Sequence, residues 1–242
     1  MTRKTVLISG GTRGIGKAAF FQLLKDGFNV VTFSPNKNLC ENLVHETKAK
    51  FDQKNFLVLQ GDVTNEKDVK KIISQTISKF NSIDILINNA GMGYFSDVDK
   101  VDMAIFQKML QLNLFGAALL TKFVVPSMKK QKSGLIINIV SNSGKTAFAK
   151  GEFYSATKFG LMGFSQGIRN ELKEYGIKVC TICPGMVKTE FFTKEELERR
   201  KEIHGGKVPT MLSVEDINKI ISLICSQSSN CDIQDITLMP FD

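Results

Sequence analysis

The sequence predicts a doubly wound α/β fold, a parallel seven-stranded sheet flanked by helices on both faces, formed as one domain over residues 1–242. Seven short apolar runs with strand character recur along the chain, rich in Val, Ile and Leu, and segments of helical period separate nearly all of them. Strands that are apolar at successive rather than alternate residues belong in a sheet buried on both sides, and helices between them supply parallel crossovers. No internal repeat, low-complexity tract or glycine-serine linker marks the start of a second domain. Ligands of such folds bind beyond the carboxyl ends of the strands, so chemistry-bearing residues are sought there.

The first run, Thr5–Ser9, passes through Gly10-Gly11-Thr12-Arg13-Gly14-Ile15-Gly16 into the amphipathic segment 17–25. Glycines at a strand-to-helix turn allow a tight bend and close approach to a pyrophosphate, whose charge the helix N-terminus favours. The spacing Gly-x-x-x-Gly-x-Gly departs from the Gly-x-Gly-x-x-Gly of larger dinucleotide folds, yet its place between first strand and first helix points to a nucleotide. The second run, 29–33, leads into Ser34-Pro35-Asn36-Lys37; the third, Phe56–Gln60, into Gly61-Asp62-Val63; the fourth, 83–88, into Asn89-Ala90-Gly91. The apolar helical stretch 109–120 then carries Asn113, an amide that costs a few kcal/mol if buried without partners. The fifth run, 135–140, is followed by Ser141 and Ser143.

Tyr154 and Lys158 open the next helix four residues apart, on one face and one turn from each other. A neighbouring ammonium favours a phenolate, the ordinary phenol pKa being about 10, and so suits the tyrosine to proton transfer near neutrality. Tyr154, Lys158, Leu161, Ser165 and Leu172 share that face, while Ala156, Gly160, Gly163 and Gly167 line the opposite one. Interior helical glycine costs about 1 kcal/mol relative to alanine, so the stripe implies close approach of something flat behind the helix. The sixth run, 177–182, leads to Pro184-Gly185-Met186-Val187-Lys188-Thr189, and the seventh is 236–239. Between them, Phe191, Phe192, the charged helix-like run 194–201 and Gly205-Gly206 suggest a lid with a glycine hinge over a hydrophobic substrate. Segments 92–97, 147–153 and 186–211 are expected to set substrate identity.

Composition narrows the partners. The net charge is +8, but the lysines are spread over helix faces (Lys70, Lys71, Lys129, Lys130, Lys173, Lys194) without interleaved exposed aromatics, which indicates a solvated surface and no nucleic-acid groove. Five cysteines and two histidines make neither a disulfide framework nor a metal site, and Cys180 and Cys183 read as buried thiols in a strand. A strand begins almost at the N-terminus with no cleavable apolar segment ahead of it, and no run is expected to reach the length of a membrane span. A soluble, cytoplasmic protein with no membrane association is expected.

Taken together, the glycine loop, Gly61-Asp62-Val63, Asn88-Asn89-Ala90-Gly91, Asn113, Ser141, Tyr154-x-x-x-Lys158 and Pro184 to Thr189 resemble, in family order, the motifs of the short-chain dehydrogenases/reductases. The resemblance implies a Rossmann-type fold and hydride transfer between a nicotinamide and a carbonyl or alcohol carbon of a small molecule. It implies a tetrad in which Tyr154 is the general acid in reduction, Lys158 supports the phenolate and holds the nicotinamide ribose, Ser141 hydrogen-bonds the substrate oxygen, and Asn113 serves a water-mediated proton path. Asp62 and Val63 resemble the adenine-binding pair, and Gly10, Thr12, Arg13, Gly14, Ile15, Gly16, Asn89, Ala90, Gly91, Pro184, Gly185, Val187 and Thr189 complete the expected cofactor site. An acid closing the second strand would bind a ribose 2′-hydroxyl and repel a 2′-phosphate. Ser34 stands there, Arg13 offers a guanidinium for bidentate phosphate contact, and Lys37 assists, so NADP(H) is expected over NAD(H). Pro35 occupies a place where many NADP-preferring members carry a second basic residue. By the same resemblance the glycine stripe and the Asn113 helix form the interface of a homodimer or homotetramer. The C-terminus lacks the Asp-Gly-Gly ending frequent in 3-oxoacyl-carrier-protein reductases, which favours a carbonyl reductase or a 3-hydroxy-acid dehydrogenase over that activity. A non-catalytic NADP(H) sensor is the alternative of another class, and an intact tetrad argues against it.

Overall fold

The computed structural model describes residues 3–203 and 206–241. Its elements are β1 (Thr5–Ser9), α1 (Gly14–Lys25), β2 (Asn29–Ser34), α2 (Lys37–Lys48), β3 (Phe56–Gln60), α3 (Glu66–Phe80), β4 (Ile85–Asn88), α4 (Met103–Leu110), α5 (Gly116–Gln131), β5 (Gly134–Ile139), α6 (Glu152–Leu172), β6 (Ile177–Pro184), α7 (Lys194–Ile203), α8 (Val214–Cys225) and β7 (Asp235–Leu238). All strand pairs are parallel, in the order β3-β2-β1-β4-β5-β6-β7. The chain runs outward from β1 to β3 and then returns to β4 on the other side of β1. A crevice opens where the order reverses, beyond the carboxyl ends of β1 and β4.

The continuous apolar strands have the predicted cause. In β1, Val6 and Ile8 enter one core with Phe20 and Leu23 of α1 and Ile217 and Ile221 of α8. Leu7 enters the other with Ile72 of α3 and Leu120 and Val124 of α5. Successive residues therefore face two different helical layers, and no polar face remains to alternate with.

β4 begins two residues later than the apolar run suggests. Ile83 is fully buried but lies in the approach loop, where the Asp84 carboxylate accepts hydrogen bonds from the Thr5 N–H at 2.7 Å and the Ser82 hydroxyl at 2.9 Å. The helix carrying Asn113 is not continuous α-helix: between α4 and α5 the stretch Gln111–Phe115 forms a wide π turn, in which the Gly116 N–H reaches back to the Gln111 carbonyl. The run Met103–Gln131 is, against expectation, long and apolar enough to cross a membrane, with a mean hydropathy of 1.4 over its best window. Its inner face is spent on the core, where Met109, Leu120, Val124 and Met128 are fully buried.

The glycine stripe of α6 divides. A Cβ on Gly160 would come within 2.9 Å of the Leu114 side chain of the π turn, so this glycine makes room for the chain's own packing. Gly163 and Gly167 face open space. Of the proposed lid, α7 forms over Lys194–Ile203, and the chain at its base is held by a short parallel bridge between Val187 and Leu212. Gly205, half of the expected hinge, lies outside the described residues, and Gly206 has φ of 81°.

Candidate active site

Among the described residues five α-helices carry a side-chain cap at their N-terminus: Asn36 on α2, Asn65 on α3, Asp102 on α4, Thr193 with Glu196 on α7, and Ser213 with Asp216 as a capping box on α8. The helix after the glycine loop has none. Arg13, its N-cap, is extended with φ of −146° and ψ of 166° and makes no capping bond. The first-turn N–H groups of α1 are thereby left to an anionic ligand, with the helix dipole behind them.

Gly10 (φ 69°) and Gly14 (φ 48°) adopt backbone that L side chains rarely take, and a Cβ on Gly10 would come within 3.0 Å of the Ala90 backbone. The loop is tied to its neighbours. Asn89 donates to the carbonyls of Ser9 and Gly10 at 3.1 and 3.0 Å, the N–H groups of Asn89 and Ala90 share the Ser9 hydroxyl, and the Gly11 N–H donates to Thr32 Oγ1 at 2.9 Å. The result is a rigid cradle that side chains would fill, which fits a dinucleotide phosphate. On its flank the Ser34 hydroxyl accepts from the Asn36 N–H, and Asp62 Oδ1 accepts from both the N–H and the hydroxyl of Thr64 at 2.8 Å.

A single cleft of about 620 Å³ joins this cradle to the start of α6. Of the residues nominated by sequence, Gly10, Thr12, Arg13, Gly14, Ile15, Ser34, Asp62, Val63, Asn89, Ala90, Gly91, Ser141, Tyr154, Lys158, Pro184, Gly185, Val187 and Thr189 all line it. Three do not. Gly16 sits behind the loop, where a Cβ would come 2.4 Å from both the Gly10 carbonyl and the Asn89 amide, so it permits tight packing of α1. Lys37 is turned outward, 69% exposed and 3.6 Å from Glu41 one turn along α2, whereas Asn36 lines the cleft in its place. Asn113 is wholly buried one layer back, beneath Gly91, at whose Cβ position its Oδ1 would be 3.3 Å away and Lys158 Nζ 3.6 Å away.

At the reacting end, Lys158 is only 5% exposed, donates to the Ile139 carbonyl at 3.1 Å, and has its Nζ 5.8 Å from the Tyr154 ring centre. Burial pulls its ammonium down to about 8, with Cys183 acting weakly in the opposite direction. Ser141 holds φ of 142° and ψ of 157°, a region that is essentially glycine's, and its Oγ accepts from the Ser143 N–H at 3.1 Å. Asn113 is fully engaged: it accepts from the Met92 N–H at 2.8 Å and donates to the Met92 carbonyl at 2.8 Å and to Thr157 Oγ1 at 2.9 Å. Thr157 in turn donates to the Tyr154 carbonyl at 2.8 Å. Sequence reasoning passed over Thr157; its inward helical position, three residues after Tyr154, was the available signal.

Comparisons with known proteins bear on the family and the fold. Residues 4–200 match the family model described as short chain dehydrogenase. An uncharacterized oxidoreductase of Staphylococcus aureus (strain MW2) is 30% identical over 240 residues, covering 99% of this chain and 98% of the relative. A 3-oxoacyl-[acyl-carrier-protein] reductase of Synechocystis sp. is 35% identical over 191 residues, covering 78% of this chain and 76% of its own. Among solved structures, ElxO with NADP bound superposes with a TM-score of 0.85 at 27% identity, over 98% of each chain. The chain belongs to the short-chain dehydrogenase family.

Proposed function

We propose that the protein is an NADP(H)-dependent oxidoreductase that interconverts a carbonyl compound and its alcohol. The observation that carries this reading is the convergence in one cleft of Tyr154, Lys158 and Ser141 with an uncapped α1 N-terminus flanked by Arg13 and Ser34. A neutral hydroxyl where β2 ends supports NADP(H), since no carboxylate stands there to repel a 2′-phosphate. The NADP-bound relative of known structure supports the same choice.

A bound nicotinamide supplies or takes up the hydride. The chain's own residues do the rest. Arg13, Ser34 and Asn36 would hold the phosphate end and Asp62 and Val63 the adenine, with Val187 and Thr189 lining the same cleft. Ser141 orients the substrate oxygen, and Tyr154 gives it a proton in reduction or takes one in oxidation. Lys158 remains mostly charged at neutral pH and favours the phenolate left behind. Asn113 fixes the Met92 backbone and, through Thr157, the first turn of α6, and stands beside Lys158 on the expected water-mediated proton path. The protein acts in the cytoplasm as a homodimer or homotetramer through α5 and α6, where Phe115 and Phe159 are 46% and 45% exposed beside the open Gly163 and Gly167. Sedimentation of a monomer at micromolar concentration would contradict that assembly.

The test is NADPH oxidation against a panel of ketones and aldehydes, with Tyr154→Phe alongside. Tyr154→Phe is expected to lower kcat by about 10²–10⁴ with NADPH affinity unchanged. NADPH binding without turnover of any carbonyl would point instead to a nucleotide sensor. The Synechocystis relative favours a second reading, reduction of a 3-oxoacyl thioester. A 3-oxoacyl thioester in the same panel separates the two.

A further inference from the structure

The reacting end of the cleft is walled by aromatic rings. Phe95 meets Tyr154 edge-on with centroids 5.4 Å apart, and Phe191 lies 5.9 Å from the same ring. Phe148 and Phe192 close on Phe95 at 5.7 and 5.8 Å, the latter stacked. The four rings come from three separate segments, after β4, before α6 and after β6, and all of them line the cleft. Glycines admit them this close: a Cβ on Gly93 would come within 2.8 Å of the Phe191 ring, and one on Gly151 within 2.3 Å of Phe148. Phe95 is 5% exposed, and the rings form a cluster apart from the two cores that hold the sheet.

Charge sets the other half of the selection. Among the described residues lining the cleft, the ionisable ones are Arg13, Asp62, Tyr154, Lys158 and Glu190. Arg13 and Asp62 sit at the nucleotide end, and Lys158 is buried against the Ile139 carbonyl. Beside the rings that leaves Glu190, which would repel an anion. Lys145 and Lys150, from the segment that contributes Phe148, are taken up by Asp235 with Thr237 and by Asp97 respectively. A substrate carboxylate or phosphate would enter this compartment unpaired.

We infer that the substrate is an uncharged carbonyl compound, or its alcohol, in which the reacting carbon bears a planar aromatic ring. The inference rests on the carbonyl-reduction reading above and names its substrate class. The ring enters beside the stacked Phe95 and Phe192, replacing the contact Phe191 now makes with Tyr154. Ring-on-ring packing, and not merely apolar area, is what this wall offers.

The experiment compares four probes sharing one reactive dione: 1-phenylpropane-1,2-dione, 1-cyclohexylpropane-1,2-dione, butane-2,3-dione and 2,3-dioxobutanoate, each with NADPH. The phenyl probe is expected to exceed the cyclohexyl probe in kcat/KM by about 2- to 10-fold, the margin aromatic packing adds to area burial. Its margin over butane-2,3-dione is expected to exceed about 100-fold, and the carboxylate is expected to be the poorest. In Phe191→Leu and Phe192→Leu, two substitutions on the half-buried loop before α7, the phenyl-over-cyclohexyl preference is expected to vanish while NADPH affinity holds. Diones turned over without a phenyl preference, or with the carboxylate favoured, overturn the aromatic assignment alone. No turnover of any dione by NADPH-bound protein that does reduce another carbonyl of the wider panel overturns this assignment alone, and no turnover of any carbonyl overturns both it and the reading beneath it.

Discussion

Replacing Lys158 with methionine is expected to abolish turnover and yet stabilise the cofactor-free protein near neutral pH. Burial lowers the lysine from 10.5 to about 8, so the folded state holds its proton less tightly than the unfolded chain does. A shift of that size amounts to about 3 kcal/mol of destabilisation at pH 7, at about 1.4 kcal/mol per unit. The unfolded chain binds more protons between pH 8 and 10.5, so this penalty fades as pH rises and is about 1 kcal/mol at pH 10. Methionine, of similar length, removes the charge but also the bond to the Ile139 carbonyl, a loss of about 1 kcal/mol. The net gain is about 2 kcal/mol at pH 7, or about 4–8 °C in Tm for a chain of this size, falling to about zero by pH 10. The buried thiols of Cys40, Cys180, Cys183 and Cys225, all raised by burial, act in the opposite direction above pH 9, where the unfolded chain loses their protons first. Those away from Lys158, Cys40, Cys180 and Cys225, are common to both proteins and cancel in the difference. Differential scanning calorimetry of both proteins at pH 7, 8.5 and 10 reads the effect. A Tm difference that is negative at pH 7, or that does not change with pH, would refute the claim that a desolvated ammonium is held at the site.

Two further substitutions probe neighbouring groups. Thr157→Val keeps the shape of a fully buried side chain but leaves one Asn113 N–H without an acceptor, and is expected to cost about 1–3 kcal/mol by denaturant unfolding, with Thr157→Ser restoring most of it. Ser34→Asp places a carboxylate where β2 ends and is expected to shift the NADPH-to-NADH affinity ratio by on the order of tenfold or more toward NADH, read by fluorescence titration.

Much of this was legible in the sequence because burial on two faces writes itself as runs of Val, Ile and Leu. Thr5–Ser9 and Phe56–Gln60 are strands at the predicted bounds. Where the reading slipped, apolar character and hydrogen bonding had parted company: Ile83 is core without being strand, and the π turn at Asn113 has the same apolar pattern as the α-helix around it. Periodicity over so few residues cannot tell a turn of five bonds from one of four. Lys37 illustrates a different limit, since proximity in sequence to the end of β2 says nothing about rotamer, and Glu41 one turn on offers the lysine a partner at 3.6 Å. The glycine stripe failed in part because a helix wheel shows which residues share a face but not which neighbour lies beyond it; for Gly160 that neighbour is Leu114.

The places where local rules are broken are themselves informative. Ser141 holds a backbone conformation that costs about 1–3 kcal/mol for any residue but glycine. Lys158 is an ammonium almost without solvent, and Asn113 sits at zero exposure in a π turn, a form that recurs at functional positions. Each departure is destabilising or uncommon in its own right, and each has a separate physical cause. All three lie in or directly beneath the cleft that Tyr154 lines. A fold under selection for stability alone would have relieved them with a glycine, a methionine and a leucine. Their convergence marks this cleft by energetics, independently of any motif, and agrees with the proposed placing of the chemistry there.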